Sequence, residues 1–74
     1  MTAPPTLPTA GDKFVVTELK STTGFLIHDK FITTRKLGPV IYKGYFAGHG
    51  GDVWACEHED GSVAAYCFTE LEVA

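Results

Sequence analysis

Two cysteines and two histidines lie near one another in the second half of the chain, and these are residue types that bind zinc. They are His49, Cys56, His58 and Cys67. Structural zinc sites usually take their ligands in Cys-x2-4-Cys or His-x3-5-His pairs from tight turns. On a strand, Cys56 and His58 would instead share one face with a wide gap between them. We therefore predict no metal site, with the cysteines acting as small buried apolar residues and His58 as a histidine at a strand end.

The two cysteines are also candidates for a disulfide, and the outcome depends on the loop of a predicted hairpin. Asp60-Gly61 lies between two apolar runs, so residues 52–68 are predicted to form an antiparallel β-hairpin. A two-residue loop would place Trp54 opposite Cys67, with the cysteines diagonal on one face and about 7 Å apart. A three-residue loop with a glycine bulge would place Trp54 opposite Tyr66, with the cysteines on opposite faces. Either geometry predicts two free thiols.

The remaining polar residues show no catalytic arrangement. Three acidic residues at positions 57, 59 and 60 fit a hydrated hairpin tip, and no serine or cysteine has an evident base beside it. The glycine-rich residues 48–51 could bind an anion through backbone amides, but no Lys-Ser/Thr and no helix follow them, so a plain connection is favoured. Arg35 and Lys36 are predicted to form a solvated loop tip. The sequence thus predicts no catalytic residue, no cofactor and no enzyme.

The composition of the chain argues against nucleic acid and membrane as partners. A chain of 74 residues with 45% hydrophobic residues has room for one domain with a real core. Its net charge of −3 gives no basic stripe to collect phosphates, so nucleic acid is an unfavoured partner. No apolar run reaches the ~20 residues that span a bilayer, and the N-terminus lacks the pattern of a signal peptide. We therefore expect no membrane partner and a cytoplasmic location.

The first ten residues differ from the rest. Residues 1–10 hold three of the four prolines and no charged side chain, which predicts a flexible tail. Residues 11–74 then form the single predicted domain.

Strand-like runs separated by glycine turns make up that domain. The predicted strands cover residues 13–19 and 40–47 and the two arms of the hairpin, with a 3₁₀ turn at 69–72 before a last half-strand. Phe14 and Val16 are predicted to share one face of the first strand. Residues 35–39 are predicted to form a loop in which Pro39 limits strand pairing. Gly44 is expected to mark a bulge in the second strand or a close approach by another backbone. These features predict an all-β fold, a small barrel of about five short antiparallel strands.

Residues 21–34 are harder to interpret. Residues 21–24 form a turn cluster. The next ten are either two strand pieces interrupted by a turn at residues 28–30 or one long loop, since no helical period crosses them. We predict no helix here.

Large aromatic residues are too numerous for one face of so small a barrel, because strand residues alternate between faces. Two interpretations stay open: a core with a few ordinary exposed rings, or an aromatic surface for a partner, a peptide or a sister subunit. The hairpin is apolar on both faces, which motivates the second interpretation. The predicted ligand- or partner-binding residues are Trp54, Tyr66, Val63, Tyr45 and Phe68.

The order of these motifs resembles the SH3-like barrel. Gly-Asp-Lys-Phe at residues 11–14 opens a strand, and a long loop, two strands, the Asp-Gly turn, a further strand and Glu-Leu-Glu at 70–72 follow. The resemblance covers most of residues 11–73, and many unrelated functions share this fold.

A narrower resemblance concerns the C-terminal half. Gly-Ser-Val-Ala-Ala-Tyr at residues 61–66, with Leu-Glu at 71–72, looks like the end of the plasmid-borne type II dihydrofolate reductases. Those are short SH3-like chains that assemble as homotetramers around a central pore, which a Val-Gln-Ile-Tyr segment lines to bind cofactor and folate. Val63 and Tyr66 match that segment, but Ala64 and Ala65 stand where glutamine and isoleucine belong. The resemblance therefore implies the fold without the reductase activity.

Together these patterns predict a non-catalytic SH3-like interaction module, an accessory protein of a mobile element. It is expected to form a homo-oligomer, since a domain this small has little core of its own, and to bind a protein or peptide partner. The alternative is a pore-forming oligomer, related to the type II reductases, that binds a small aromatic ligand such as a nucleotide or pterin.

Overall fold

The predicted hairpin is present in the structure, a computed structural model that describes residues 7–20 and 25–74. Strand β3 (Val53–His58) pairs antiparallel with β4 (Val63–Cys67). Trp54 lies opposite Tyr66, so the alternative with a three-residue loop is the one observed. Gly61 ends the loop with φ +89°, a conformation that glycine adopts without steric cost.

Two further strands extend the sheet, and both differ from their predicted bounds. Strand β1 is Lys13–Val16 and stops short of the predicted residue 19, and β2 is Gly38–Tyr45, which starts and ends two residues early. Pro39 therefore lies inside a strand, contrary to expectation. It pairs only with Val15 of β1, because the pairing of β2 with β3 begins at Val40. Its missing N–H is tolerated where β2 has a single neighbour.

The predicted bulge at Gly44 is confirmed. The register between β2 and β3 shifts between Tyr42 and Gly44, and Gly44 has φ +155°. One extra residue on the bulged strand reverses the alternation of faces beyond it. Tyr45 consequently lies opposite Trp54 instead of continuing the face of Lys43.

The chain ends as predicted, with a short turn and a half-strand. A 3₁₀ helix at Phe68–Glu70 leads into β5 (Leu71–Val73), which pairs with β1. The resulting antiparallel sheet has the order β4-β3-β2-β1-β5. This is an all-β fold compatible with the SH3-like class, although within the described residues β4 and β5 remain the two edges and the sheet is not closed.

One short helix corrects the prediction for residues 25–34. Helix α1 is Asp29–Thr33, where we expected a turn and strand pieces or a loop. Five residues are too few for a helical period to appear in the sequence. The His28 side chain begins the helix by accepting the Lys30 N–H at Nδ1 (3.2 Å).

Helix α1 packs against β4 on the face opposite the main core. The main core lies on the other face and contains the buried residues Val16, Val40, Tyr42, Trp54, Cys56, Ala64 and Tyr66. Val53 and Ala65 alternate with Trp54 and Tyr66, and they are buried outside that core. The second apolar face of the hairpin, on which the expectation of a partner rests, is thus covered by the chain itself.

Two sequence predictions fall partly outside this description. The turn cluster at residues 21–24 lies outside the described residues, as do residues 1–6 of the predicted tail. At the end of that tail, the Thr9 N–H donates to Oδ2 of Asp12 (3.0 Å).

Candidate interaction surface

The five predicted binding residues are divided between the core and the surface. Tyr45, Trp54 and Tyr66 form one register row across β2, β3 and β4, and the Phe68 ring lies 6.2 Å from that of Trp54. Tyr45 is 55% exposed and Phe68 is half-buried, whereas Trp54 and Tyr66 are buried. Val63 lies on the other face of β4, where it lines a hollow of about 300 Å³ beside α1.

Trp54 is a packing residue in this chain. Its ring makes edge contacts with Phe14 and Tyr42 at centroid distances of 5.5 and 5.3 Å, and its Nε1–H donates to the carbonyl of Gly51 (2.8 Å). Buried tryptophan normally requires such a partner for its N–H. Trp54 and Tyr66 are both buried, so neither ring is exposed for a partner to contact. Their partner-binding role stays a prediction.

The Tyr66 hydroxyl is the centre of a buried polar network that sequence reasoning missed. Its oxygen lies 2.8 Å from the Lys36 N–H, 3.0 Å from the Lys36 carbonyl and 2.6 Å from His58 Nε2. The N–H must donate to the hydroxyl and the carbonyl must accept from it, which uses the single hydroxyl proton. His58 therefore donates from Nε2, and the hydrogen-bond network assigns the Nε2–H tautomer.

Electrostatics keeps both members of this pair neutral. Burial lowers the pKa of His58, the nearby Lys36 ammonium lowers it further, and Asp60 opposes the shift without reversing it. Burial likewise raises the pKa of Tyr66 above its ordinary value. This neutral pair holds the segment at Lys36 against the hairpin.

Lowering the pH below about 6.5, the ordinary pKa of histidine, is expected to reduce the stability of the fold. Because the folded-state pKa of His58 lies below its unfolded value, the unfolded chain binds more protons in the window between the two, so stability is lost as pH falls. Urea unfolding from pH 8 to pH 5 measures the effect. His58→Gln, whose amide can still donate, should flatten the profile, whereas His49→Gln should keep it. A profile unchanged by His58→Gln contradicts this interpretation.

Arg35 is buried, which corrects its prediction as a solvated loop tip. It forms an ion pair with Glu70, and the two side chains are 6% and 1% exposed. The guanidinium lies over the Tyr66 ring at 5.1 Å and over the Phe25 ring at 5.6 Å. Lys36 is exposed as predicted and pairs with Asp60 at 2.7 Å.

Glu70 receives enough donors to stay ionised inside the protein. Burial by itself raises its pKa, but the Arg35 side chain and the backbone N–H groups of Lys20 and Cys67 outweigh burial, so the pKa lies below its ordinary value. The two N–H groups donate at 2.7 and 2.8 Å. Glu70 was predicted only as part of a short turn, and no pattern in the sequence signals its burial.

The outer edge of β4 is covered by three side chains, those of Thr34, Arg35 and Glu70. The Thr34 hydroxyl donates to the Val63 carbonyl (2.7 Å), and Arg35 donates from Nη1 to the Ala65 carbonyl (2.6 Å). Glu70 accepts the Cys67 N–H at this edge. Exposed strand edges invite pairing with other chains, so this segment protects β4 from it.

Both cysteines are thiols, as predicted, and they lie on opposite faces of the hairpin. Burial raises the pKa of Cys56 to about 12, so this thiol is a core residue without nucleophilic character at neutral pH. Within the described residues, no three His, Cys, Asp or Glu side chains are grouped so as to hold a metal ion.

A groove of about 310 Å³ lies along β1, β2 and β3, and no sequence pattern indicated it. Lys13 lies opposite Ile41, which lies opposite Glu57, so the three form a row across β1, β2 and β3. Pro39 and Glu59 also line the groove. Ile41, at its centre, is 38% exposed. We call this surface the outer groove.

The charges of the outer groove lie on opposite sides of its apolar centre. Lys13 lies on the β1 side, while Glu57 and Glu59 lie on the β3 side. Lys43 reaches Glu57 at 3.6 Å, and in the described part of the chain no ion pair involves Lys13 or Glu59. Such a surface can bind a polypeptide with an apolar centre and complementary charges.

Comparison with known proteins gives no relative. No family model matches the chain, and neither a curated protein nor a solved structure is significantly similar to it. The resemblance to the type II dihydrofolate reductases therefore has no support beyond the residues that suggested it. Among the described residues, no helix is both long and apolar enough to cross a membrane.

Proposed function

We propose that this protein is a non-catalytic interaction module that binds a polypeptide partner through the outer groove. The observation that carries the proposal is the row Lys13–Ile41–Glu57, a half-exposed apolar side chain between opposite charges on three neighbouring strands. The accessory role on a mobile element and the homo-oligomeric state belong to this proposal as well.

Use of the buried polar groups supports a binding role over a catalytic one. Every buried side-chain nitrogen and oxygen in the described residues has a hydrogen-bond partner. Arg35, Glu70 and the Tyr66 hydroxyl therefore serve packing and positioning. His58 also lines the outer groove, but its Nε2–H is used in the hydrogen bond to Tyr66.

A small-ligand pore is the weaker candidate. In a pore like that of the type II reductases, Tyr66 would have to meet the ligand. Here Tyr66 is buried, and its hydroxyl is engaged by Lys36 and His58. This arrangement gives no observation in favour of nucleotide or pterin binding.

Selection from a library of extended peptides tests the proposed function. Peptides enriched on the wild-type protein should bind with amide chemical-shift changes at Ile41 and Glu57, and Ile41→Asp should abolish the binding. Leu26→Asp is the matched control, because Leu26 is 90% exposed and lies away from the outer groove. Enriched peptides that bind Ile41→Asp as well as wild type would refute the proposal.

A further inference from the structure

We infer that the outer groove binds a second copy of this chain, through a two-fold axis that runs along β2. This inference rests on the proposed function and names the partner of the same surface. Lys13, Ile41 and Glu57 lie side by side on three neighbouring strands. Adjacent strands are about 4.8 Å apart, so opposite charges lie about 5 Å to either side of Ile41.

Symmetry selects one orientation of the two sheets. When two copies pack face to face, the two-fold axis lies in the plane of their interface. An axis parallel to β2 through Ile41 places Lys13 of one copy against Glu57 of the other, and does so twice. An axis across the strands would instead place Lys13 against Lys13 and Glu57 against Glu57. The charge pattern therefore favours the axis along β2.

The neighbouring side chains fit this arrangement. Within the described residues Lys13 and Glu59 form no ion pair of their own, so both are available to the second copy. Pro39 and Ile41 supply the apolar centre on the axis. Lys43 also lies on β2 and meets its own copy near the axis, but each Lys43 ammonium is directed toward Glu57 at 3.6 Å, and the two Lys13–Glu57 pairs outnumber this single like-charge contact.

Charge-reversal variants test the orientation directly. Lys13→Glu and Glu57→Lys should each convert both intermolecular pairs into like-charge pairs and weaken dimerisation about tenfold or more. An equimolar mixture of the two variants should restore a dimer, because each then meets the opposite charge at both positions. Sedimentation equilibrium from about 10 µM to about 1 mM covers the weak affinities expected of a small interface.

Matched controls separate this effect from net charge. Lys30→Glu and Glu18→Lys make the same charge changes at residues that do not line the outer groove, and both should dimerise like wild type. High salt should weaken the wild-type dimer, since the pairs form at the surface. Circular dichroism of each variant tests whether it is folded.

The outcomes distinguish the inference from the proposed function. A wild-type protein that stays monomeric over the whole range, or charge variants that dimerise like wild type, would overturn the inference. A mixture that associates no better than either variant alone would do the same. If peptides bind the outer groove while the protein stays monomeric, the proposed function is supported and the inference is overturned. If the dimer depends on these charges but no peptide binds the outer groove, the inference is supported. The proposed binding of other polypeptides is then refuted.

Discussion

Replacing Glu70 with alanine is expected to lower the free energy of unfolding by about 3–5 kcal/mol, the usual cost of leaving one member of a buried ion pair alone. The substitution strands the buried guanidinium of Arg35 and removes the acceptor of the Lys20 and Cys67 N–H groups. A domain of this size has roughly 4–11 kcal/mol of stability in all. Urea denaturation followed by tryptophan fluorescence, with Trp54 as the reporter, measures the change.

Two comparisons show whether burial is the cause. Lys43→Gln breaks an exposed ion pair with Glu57 and should change stability by less than about 1 kcal/mol. The double variant Arg35→Met with Glu70→Met replaces both charges by apolar side chains and should be more stable than Glu70→Ala. A Glu70→Ala protein within about 1 kcal/mol of wild type would show that the ion pair is not buried in solution.

The features that sequence reasoning found are those set by neighbouring residues. Asp60-Gly61 specifies its turn because glycine takes φ +89° there, and Asp60 accepts the Ser62 N–H at 2.9 Å. Gly44 marked the bulge in the same way, through a conformation that few other residues adopt. The loop length remained open because both alternatives satisfy the same local pattern.

The features that sequence reasoning missed depend on contacts between distant residues. Arg35 and Glu70 are 35 positions apart, and charged residues in glycine- or proline-bounded segments are usually solvated. Helix α1 forms because His28 caps it and β4 supports it, and neither contact is visible as a period. The second apolar face of the hairpin was interpreted as a surface for a partner for the same reason: its cover, α1, could not be predicted.

The burial of the second apolar face of the hairpin removes one reason to expect self-association. An apolar outer face on β3 and β4 would have made an oligomer necessary, but Val53 and Ala65 are already buried. The apolar surface that remains in the groove is centred on Ile41 of β2 and is flanked by charges. We therefore expect any dimer to be weak and sensitive to salt.

Replacing Tyr66 with phenylalanine is expected to lower the free energy of unfolding by about 2–4 kcal/mol. The ring and its packing remain, but the Lys36 N–H, the Lys36 carbonyl and His58 Nε2 all lose the same partner. Buried groups without partners cost about 1–3 kcal/mol each, and part of this cost falls away where Lys36 can reach water. The loss should appear in urea denaturation as a lower midpoint with an unchanged dependence on urea.

Tyr42→Phe is the matched control, because it removes a hydroxyl from another buried tyrosine of the same core. Among the described residues the Tyr42 hydroxyl forms no hydrogen bond and is not one of the fully buried polar atoms, all of which have partners there, so its removal should change stability by less than about 0.5 kcal/mol. Nitrogen chemical shifts of the His58 ring supply an independent readout: the wild-type protein should show the Nε2–H tautomer, and Tyr66→Phe should lose that preference. Equal stability of the two tyrosine variants, or an Nδ1–H tautomer in the wild type, would contradict the network. Its role is positional, because it holds the segment at Lys36 against the hairpin whose β3 strand carries Glu57 and Glu59 to the outer groove.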